Sequence, residues 1–244
     1  MSSKIILERT IVGPGSEHLH RKNYPDHWER YEFAINYCAN QKVIDVACGP
    51  GYGTALISKA TSTRPIGLDV DKSTIEIARN NYGKVADFYA VEGYVWPIED
   101  GSIDVIVSLE TFEHLDDPNS FLHESLRVLK RGGILILSTP LNETESRFSP
   151  ENQYHIREYS WDELGQVVSD MFDIQARFSQ VSTLSSLALS LNNNTANLAK
   201  LLIPNFLRRL LVRVLAKSPA MTSGAILPEK HKNAGVQIII AKKS

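Results

Sequence analysis

Short apolar runs alternate with amphipathic segments along most of the chain after residue 41. Runs of four to seven residues rich in Val, Ile, Leu and Phe predict strands at 43–47, 65–68, 88–91, 103–108, 134–138, 172–178 and 235–241. Apolar residues at helical spacing predict helices at 26–40, 52–60, 73–81, 118–130 and 161–171. Strands separated by helices are joined by right-handed crossovers, which indicates an α/β fold with a doubly wound, mostly parallel sheet and helices on both faces.

This pattern divides the chain into four parts. Residues 1–40 form a leader that ends in a cap helix, and residues 41–178 form the α/β core. Residues 179–234 form a helical insert, and residues 235–244 return to the core as its last strand. A doubly wound sheet binds its ligand at the carboxyl edge of the central strands, where the winding reverses, so we expect the site there.

Charge is distributed unevenly between these parts. The 244 residues carry a formal net charge of −2, but 174–228 holds six basic residues and no acidic one, which leaves −8 for the rest. An acidic body argues against a nucleic-acid-binding protein.

Within the insert, residues 205–217 combine an apolar stripe with basic residues on the opposite helical face. Such a helix lies on an anionic membrane surface or, alternatively, closes over the site with its stripe buried.

The chain shows no signal of export. Three consecutive apolar residues before Glu8 are too few for a signal peptide, and no run approaches the roughly 18 apolar residues of a spanning helix. Cys38 and Cys48 do not form a CxxC pair. We therefore expect a cytoplasmic protein, with peripheral contact at the inner membrane surface if 205–217 faces lipid. The sequence predicts no particular oligomeric state.

A glycine-rich turn follows the first predicted strand. Asp45 is followed by Gly49, Gly51 and Gly53. Glycines let the chain turn sharply and let a ligand approach the backbone closely, and a helix that begins there offers free N–H groups. The spacing is G-x-G-x-G, which differs from the G-x-G-x-x-G of dinucleotide-binding proteins.

Two further acidic residues follow the next strands along the chain. Asp69 ends the second strand, where a carboxylate accepts hydrogen bonds from ribose hydroxyls. Glu92 follows the third strand and lies five residues before Pro97. We expect both carboxylates at the same edge of the sheet as the glycine-rich turn.

A cluster of titratable residues follows the fourth strand. A helical turn places Glu110, Glu113 and His114 on one face, because they lie at positions i, i+3 and i+4. Two carboxylates and an imidazole that converge are either a repulsive arrangement or a cation site, and hard oxygen ligands with one nitrogen suit Mg²⁺ or Mn²⁺ better than zinc. His155 follows the neighbouring fifth strand and can return to the same edge as a fourth ligand.

Four ordered motifs resemble those of the class I S-adenosylmethionine-dependent methyltransferases, of the type 11 kind. They are VIDVACGPGYG, PIGLDVDKSTIEIARNN, SIDVIVSLETFEHLDDP and FLHESLRVLKRGGILILSTP. The resemblance implies a Rossmann-like core with S-adenosylmethionine as cofactor. It implies that the methionine portion and ribose contact the loop, that the ribose hydroxyls bind Asp69 and that the adenine amine faces Glu92. The loop residues concerned are Asp45, Gly49, Gly51 and Gly53. Ala47 stands where the family often has glycine.

The ExxEH pattern, with His155 downstream, resembles metal-assisted O-methyltransferases such as the small-RNA 2′-O-methyltransferases and those of ubiquinone synthesis. The resemblance implies Mg²⁺ on Glu110, Glu113, His114 and His155, beside the acceptor hydroxyl. The alternative is that His114 or His155, with Glu113, acts as a metal-free general base or is structural. The Ser160–Glu163 segment that belongs to this resemblance is also typical of an ordinary helix capping box.

The segment from His27 to Ala34 resembles the RYxFA helix of bacterial members of this superfamily. The resemblance implies that this helix covers the cofactor through Arg30 and Tyr31. The alternative is a helix that packs on the edge of the sheet.

These observations predict methyl transfer from S-adenosylmethionine to a hydroxyl of a small molecule, a glycan or a lipid-linked acceptor. One alternative is N-methylation of an amino sugar, which needs a base and no metal. A second, from another class, is a cofactor-binding or membrane-associated scaffold without catalysis.

Overall fold

The structure, a computed structural model, describes residues 24–148, 152–181, 225–231 and 234–244. The helices are α1 (Pro25–Ile35), α2 (Tyr52–Ile57), α3 (Lys72–Tyr82), α4 (Pro118–Val128) and α5 (Trp161–Ser169). The strands are β1 (Val43–Val46), β2 (Ile66–Asp69), β3 (Asp87–Ala90), β4 (Ile103–Leu109), β5 (Leu129–Pro140), β6 (Asp173–Val181), β7 (Ala225–Pro228) and β8 (Val236–Lys242). Short 3₁₀ turns cover Phe112–His114 and Glu145–Phe148.

These strands form one mixed sheet in the order β3-β2-β1-β4-β5-β8-β6-β7. Strands β1 to β5 pair in parallel, and β8 lies antiparallel between β5 and β6. The predicted α/β fold with a mostly parallel core is therefore confirmed. The winding reverses between β1 and β4, which places the expected ligand edge at the carboxyl ends of these two strands.

The core has two apolar layers, because successive side chains of a strand point to opposite faces of the sheet. Val105 and Val107 of β4 belong to the layer that includes α1, α2 and α3. Ile106 of the same strand belongs to the layer that includes α4 and α5. Helices on both faces explain why the central strands are continuously apolar.

Helix α1 is shorter than predicted. The sequence predicts a helix over 26–40, whereas α1 ends at Ile35. The next backbone N–H groups, those of Asn36, Tyr37 and Cys38, bond three residues back, which tightens the chain into turns. Asn40 then adopts a left-handed conformation with φ of 60°, which ends this segment.

The boundary between α4 and β5 also differs from the prediction. The sequence predicts a helix to Lys130 and a strand from Ile134, with the Gly132-Gly133 pair between them. In the structure the helix ends at Val128, and Leu129 already pairs with Ile103. The glycines lie inside β5, where a register shift opposite Ile103 and Val105 accommodates them.

The predicted insert begins later than expected and contains a strand that the sequence analysis missed. Strand β6 continues to Val181, and Ala225–Pro228 pairs with it as β7. A four-residue edge strand that ends in proline is too short to show a clear alternation of apolar and polar residues. It is therefore recognised only by its pairing with β6. The amphipathic segment 205–217 lies outside the described residues. Among the described helices, none has the length and apolar character required to cross a membrane.

The capping box at α5 is confirmed, and its Glu163 also binds residues of the loop that carries His155. The Ser160 hydroxyl accepts from the Glu163 N–H, and the Glu163 carboxylate accepts from the Ser160 N–H. The same carboxylate also binds Arg147 and Arg157, which flank the His155 segment. This network explains the conformation of Ser160 and Glu163 without assigning them to a ligand.

Candidate functional site

A cavity of about 1180 Å³ opens at the carboxyl ends of β1, β2, β3 and β4. Its wall includes Gly49 after β1, Asp69 at the end of β2, Gly93 after β3 and Glu110 after β4. Helix α1 covers one side through Arg30 and its neighbours. The cavity therefore lies where the strand order reverses, as predicted.

The three glycines of the turn have different roles. Gly49 lies on the cavity wall with φ of 55°, and no atom stands within 4 Å of the position its Cβ would occupy. Gly51 has φ of 87°, and a Cβ there would lie 2.8 Å from Ala78 and Phe88. A Cβ on Gly53 would lie 2.0 Å from the Tyr31 ring. Gly51 and Gly53 are not on the cavity wall, and close packing explains why both positions need glycine. Their contact with a cofactor stays a prediction.

Asp69 is placed as the sequence predicts. It is buried on the cavity wall, where its Oδ2 accepts from the Gly49 N–H at 3.0 Å and its Oδ1 from the Asp71 N–H at 2.9 Å. These bonds fix the carboxylate beside the glycine-rich turn. Each carboxylate oxygen can accept more than one hydrogen bond, so the carboxylate can also bind hydroxyl groups of a ligand.

Glu92 does not reach the cavity. Its side chain is 89% exposed, and Oε1 lies 3.5 Å from Lys72 Nζ on the outer surface. The adjacent Gly93 and Tyr94 line the cavity instead. An exposed carboxylate is better solvated than one turned toward the apolar Val91 and Trp96, which accounts for this orientation. Its contact with an adenine amine remains a prediction.

Asp45 is behind the cavity wall and not on it. Its fully buried carboxylate accepts from the Thr54 hydroxyl at 2.6 Å and from the Tyr31 hydroxyl at 3.2 Å. Burial raises the pKa of Asp45 to about 7, with a further increase from Asp69, although the bonds from Thr54 and Tyr31 act in the opposite direction. The structure therefore gives Asp45 a supporting role for the loop and for α1, where the sequence analysis expected direct ligand contact.

Tyr31 joins α1 to the glycine-rich turn. Its ring packs on Gly53, and it makes edge contacts with His27 and Tyr52, at centroid distances of 5.5 Å in each case. Tyr31 and Arg30 both line the cavity. Helix α1 thus covers one side of the cavity and also packs against the core. Contact of Arg30 and Tyr31 with a cofactor stays a prediction.

The ExxEH cluster begins at the end of β4. Glu110 has φ of 53°, and its carboxylate accepts from the Ser138 hydroxyl at 2.8 Å and stands 3.6 Å from the Arg30 guanidinium. Glu113 is buried and accepts from the Thr139 hydroxyl at 2.9 Å. Burial, followed by the charge of Glu110, raises the pKa of Glu113 well above its usual range. The two carboxylates therefore have separate partners.

The two histidines stand face to edge, with ring centroids 4.9 Å apart. His114 donates from Nδ1 to the Tyr154 carbonyl at 2.8 Å, and its Nε2 lies 3.8 Å from Glu113 Oε1. The Nδ1 atom of His155 bonds to Glu158 at 2.7 Å, and its Nε2 is 2.9 Å from the Asn152 amide nitrogen. His155 is thus held at both ring nitrogens.

Three of the four predicted metal ligands converge. Glu113, His114 and His155 each offer one ligand atom, and these atoms lie within 4.8 Å of one another. Glu110 is not part of this group, because its carboxylate faces Arg30 and Ser138. The structure therefore brings together one carboxylate and two imidazoles, where the sequence pattern predicts two carboxylates and two imidazoles.

The residues that orient this cluster were not predicted from the sequence. Thr139 at the end of β5 binds Glu113, and Glu158 binds His155. The i, i+3 spacing of His155 and Glu158 would have predicted their hydrogen bond. The bond between Thr139 and Glu113 cannot be predicted until the register of β4 and β5 is known.

Comparison with known proteins identifies the central domain. Residues 44–137 match the family model described as a methyltransferase domain. A Mycolicibacterium smegmatis protein, named a probable S-adenosylmethionine-dependent methyltransferase, is 37% identical over 168 residues, which cover 66% of this chain and 62% of that protein. Residues 44–137 form a class I S-adenosylmethionine-dependent methyltransferase domain.

Other relatives agree with the assignment of this methyltransferase domain. A ubiquinone biosynthesis O-methyltransferase of Dictyostelium discoideum is 31% identical over 121 residues, 42% of this chain and 36% of that one. A solved structure of an S-adenosylmethionine-dependent methyltransferase from Thermotoga maritima has a TM-score of 0.57 at 15% identity and covers 92% of this chain and 98% of that one. The likeness to this solved structure supports the fold. The chain spans less than two thirds of the length of the Mycolicibacterium smegmatis and Dictyostelium discoideum relatives.

The methyltransferase domain fits its family's cofactor at the glycine-rich turn. Gly49 leaves open space where a side chain would stand, and the Asp69 carboxylate is held beside it on the same wall. The cavity exceeds the usual range of small-molecule sites, about 300–1000 Å³, so it has room for a cofactor and part of an acceptor.

The contact between Gly53 and Tyr31 can be tested by Gly53→Ala. Because a Cβ would lie 2.0 Å from the Tyr31 ring, we expect the free energy of unfolding to fall by roughly 1–3 kcal/mol in urea denaturation. Gly235→Ala is the matched control, since no atom lies within 4 Å of its Cβ position. In a Tyr31→Ala background the cost of Gly53→Ala should nearly vanish; an unchanged cost there would refute the packing explanation.

The buried Asp45 predicts a pH dependence of stability. Its pKa in the folded protein, about 7, lies above the usual value of 3.8, so its contribution to stability is full below the lower value and is lost as pH rises through the upper one. Asp45→Asn should therefore gain stability relative to wild type, by up to about 3 kcal/mol, between about pH 5 and about pH 8, because about two pH units separate pH 5 from the upper pKa. Urea denaturation at the two pH values measures the difference.

Asp71→Asn is the control for this experiment. Hydrogen bonds from Ser73, and secondarily from Thr74, lower the pKa of Asp71, so its stabilisation is already complete at about pH 5. The difference between Asp71→Asn and wild type should be equal at both pH values. A difference between Asp45→Asn and wild type that is equally flat would show that the Asp45 carboxyl does not titrate in this range.

Proposed function

We propose that the chain transfers a methyl group from S-adenosylmethionine to a hydroxyl oxygen of a small molecule, a glycan or a lipid-linked acceptor. The observation that carries the proposal is the orientation of His114 in the same cavity that holds Gly49 and Asp69. The cofactor supplies an electrophilic methyl group on a sulfonium. The chain must then position the acceptor and remove its proton.

The tautomer of His114 suits it to accept a proton. Nδ1 donates to the Tyr154 carbonyl, so in the neutral ring Nε2 carries the lone pair. A proton taken by Nε2 arrives 3.8 Å from Glu113 Oε1. The buried carboxylate stabilises the imidazolium, and the imidazolium in turn offsets the burial that raises the pKa of Glu113.

A metal at the same cluster is the second candidate mechanism. Glu113, His114 and His155 could hold a divalent ion, which would polarise the acceptor hydroxyl and favour loss of its proton. His155 would have to exchange its contact with Asn152 for the ion. One carboxylate and two imidazoles suit a transition metal better than Mg²⁺, so Mg²⁺ would require Glu110 to join the set.

The charge of the cavity disfavours an anionic acceptor. In the described part of the wall, five carboxylates face one guanidinium, that of Arg30. Like charges so close to the reacting centre disfavour an anionic acceptor such as a nucleic acid backbone. The similarity to an O-methyltransferase of ubiquinone biosynthesis supports oxygen as the methylated atom, and N-methylation of an amino sugar is the alternative.

A methyl-transfer assay tests the proposal. Purified protein, S-adenosylmethionine labelled in its methyl group and a cell extract should give a labelled product whose chemical analysis identifies an O-methyl group. His114→Gln should lower the rate by about 100- to 10,000-fold while leaving S-adenosylhomocysteine binding intact. His123→Gln is the control, because that exposed residue lies on α4 and should not change the rate.

Chelation separates the two mechanisms. Activity that survives EDTA supports the metal-free base, and in that case His155→Gln should have a small effect. Activity that is lost in EDTA and restored by a divalent ion supports the metal, and His155→Gln should then be as damaging as His114→Gln. A protein that binds S-adenosylhomocysteine but labels nothing would contradict the proposed activity and favour the non-catalytic alternative.

A further inference from the structure

The cavity has two halves, one on each side of the turn that carries His114. Gly49 and Asp69 line it after β1 and at the end of β2, which lie on one side of β4 in the sheet. Pro140 and Val236 line it at the end of β5 and the start of β8, which lie on the other side and pair directly there. A cofactor beside Gly49 and Asp69 therefore leaves the second half, here called the acceptor half, for the methyl acceptor.

The loop that follows β5 completes the acceptor half. The Ile156 N–H donates to the Glu113 carbonyl at 2.8 Å, and the Tyr154 carbonyl accepts from His114 Nδ1 at 2.8 Å. These two bonds hold the loop against the turn that carries His114. The apolar and aromatic residues of the acceptor half are then Pro140, Tyr154, Ile156 and Val236.

Ile156 is the most exposed of these four residues. It is 55% exposed, although its backbone is held by the turn beneath it. A large apolar side chain on a cavity wall is removed from water when an apolar ligand covers it, and this burial favours binding. Ile156 therefore indicates an acceptor with an apolar body.

Glu113 and His155, the polar side chains beside the His114 ring, are already engaged within the protein. Glu113 Oε2 accepts from Thr139, and both ring nitrogens of His155 are bonded. A glycan carries a hydroxyl on most of its ring carbons, and each hydroxyl that is buried needs a hydrogen-bond partner. The acceptor half therefore suits a ring with few polar groups better than it suits a sugar.

The chemistry of an imidazole base narrows the acceptor further. The ordinary pKa of a phenol is about 10, whereas that of water, to which an aliphatic alcohol is close, is about 15.7. A phenol is thus a stronger acid than an alcohol by roughly a million-fold. A general base acts most efficiently on a proton whose removal is not strongly uphill. An imidazole in an apolar surrounding is therefore better matched to a phenol than to an aliphatic hydroxyl.

We propose that the acceptor is a phenol with an uncharged, apolar body, which lies in the acceptor half and is covered on one side by Ile156. This inference deepens the proposed function and rests on it. The phenol oxygen bonds to the methyl carbon as the bond from that carbon to sulfur breaks, and the hydroxyl proton passes to His114 Nε2. The positive charge of the sulfonium thereby ends on the imidazole, beside the Glu113 carboxylate.

The product formed from a cell extract tests the acceptor class. With S-adenosylmethionine labelled in its methyl carbon, the labelled product should partition into organic solvent. Its mass and carbon NMR spectrum should identify a methyl ether on an aromatic ring. Label in an aliphatic ether or in a sugar would overturn the phenol assignment, although methyl transfer to oxygen would stand.

Three defined probes test the same point without an extract. 2-Naphthol should be methylated at least about 100-fold faster than decahydro-2-naphthol, its saturated alcohol, because the phenol is the stronger acid. It should also be methylated at least about 10-fold faster than 6-hydroxy-2-naphthoate, whose charge meets the carboxylates of the cavity. Equal or faster methylation of the saturated alcohol would overturn the inference. If no probe is methylated, the identity of the extract product decides.

Ile156→Ser tests the apolar contact. It should raise the KM for 2-naphthol, or for the phenol isolated from the extract, by about 10-fold, because about two buried methylene groups are lost. It should leave kcat and the affinity for S-adenosylhomocysteine nearly unchanged, and Ile156→Val should resemble wild type. Val85→Ser is the matched control, since that exposed apolar residue lies outside the wall of the cavity and should change neither constant.

The outcomes separate this inference from the proposed function. An Ile156→Ser protein that behaves like Val85→Ser overturns the contact with Ile156. A wild-type protein that binds S-adenosylhomocysteine and methylates alcohols or sugars in preference to phenols overturns this inference alone. A wild-type protein that does not bind S-adenosylhomocysteine overturns the proposed function and this inference with it.

Discussion

The packing of Tyr31 on Gly53 is the contact on which the site depends most. It holds α1 against the glycine-rich turn, and the hydroxyl of the same tyrosine binds the buried Asp45 at the end of β1. Because Arg30 precedes Tyr31, this contact also places the one guanidinium in the described wall of the cavity. Without this contact, α1 would not cover its side of the cavity at the carboxyl edge of the sheet.

Buried carboxylates give the site its electrostatic character. Asp45 and Glu113 both have pKa values raised mainly by burial, so each is stabilised by any positive charge that comes near. In the proposed function, a sulfonium cofactor would bring such a charge to the glycine-rich turn, and a protonated His114 would bring one to Glu113. In that proposal, Asp45 behind the wall and Glu113 on it suit a cationic cofactor and the removal of a proton from the acceptor.

The fold class was predictable from sequence because strands and helices alternate with clear periodicity, whereas the order of the strands is known only from the structure. The position of Asp69 at the end of β2 was predictable for the same reason, and so was that of His114 in the turn after β4. The side-chain partners were not. Glu110 turns to Arg30 and Ser138, and Glu92 turns to solvent, since those choices depend on contacts distant in sequence. Strand β7 was missed because it is short and is recognised through pairing with β6.

The most direct measurement of the central claim is calorimetric titration of the wild-type protein and of Asp69→Ala with S-adenosylhomocysteine. We predict saturable binding of one ligand per chain to wild type. We expect affinity at least about 10-fold weaker in the variant, because the carboxylate held by Gly49 and Asp71 would no longer accept from the ribose hydroxyls. Absence of binding to a folded wild-type protein, or equal affinity in the two proteins, would contradict it.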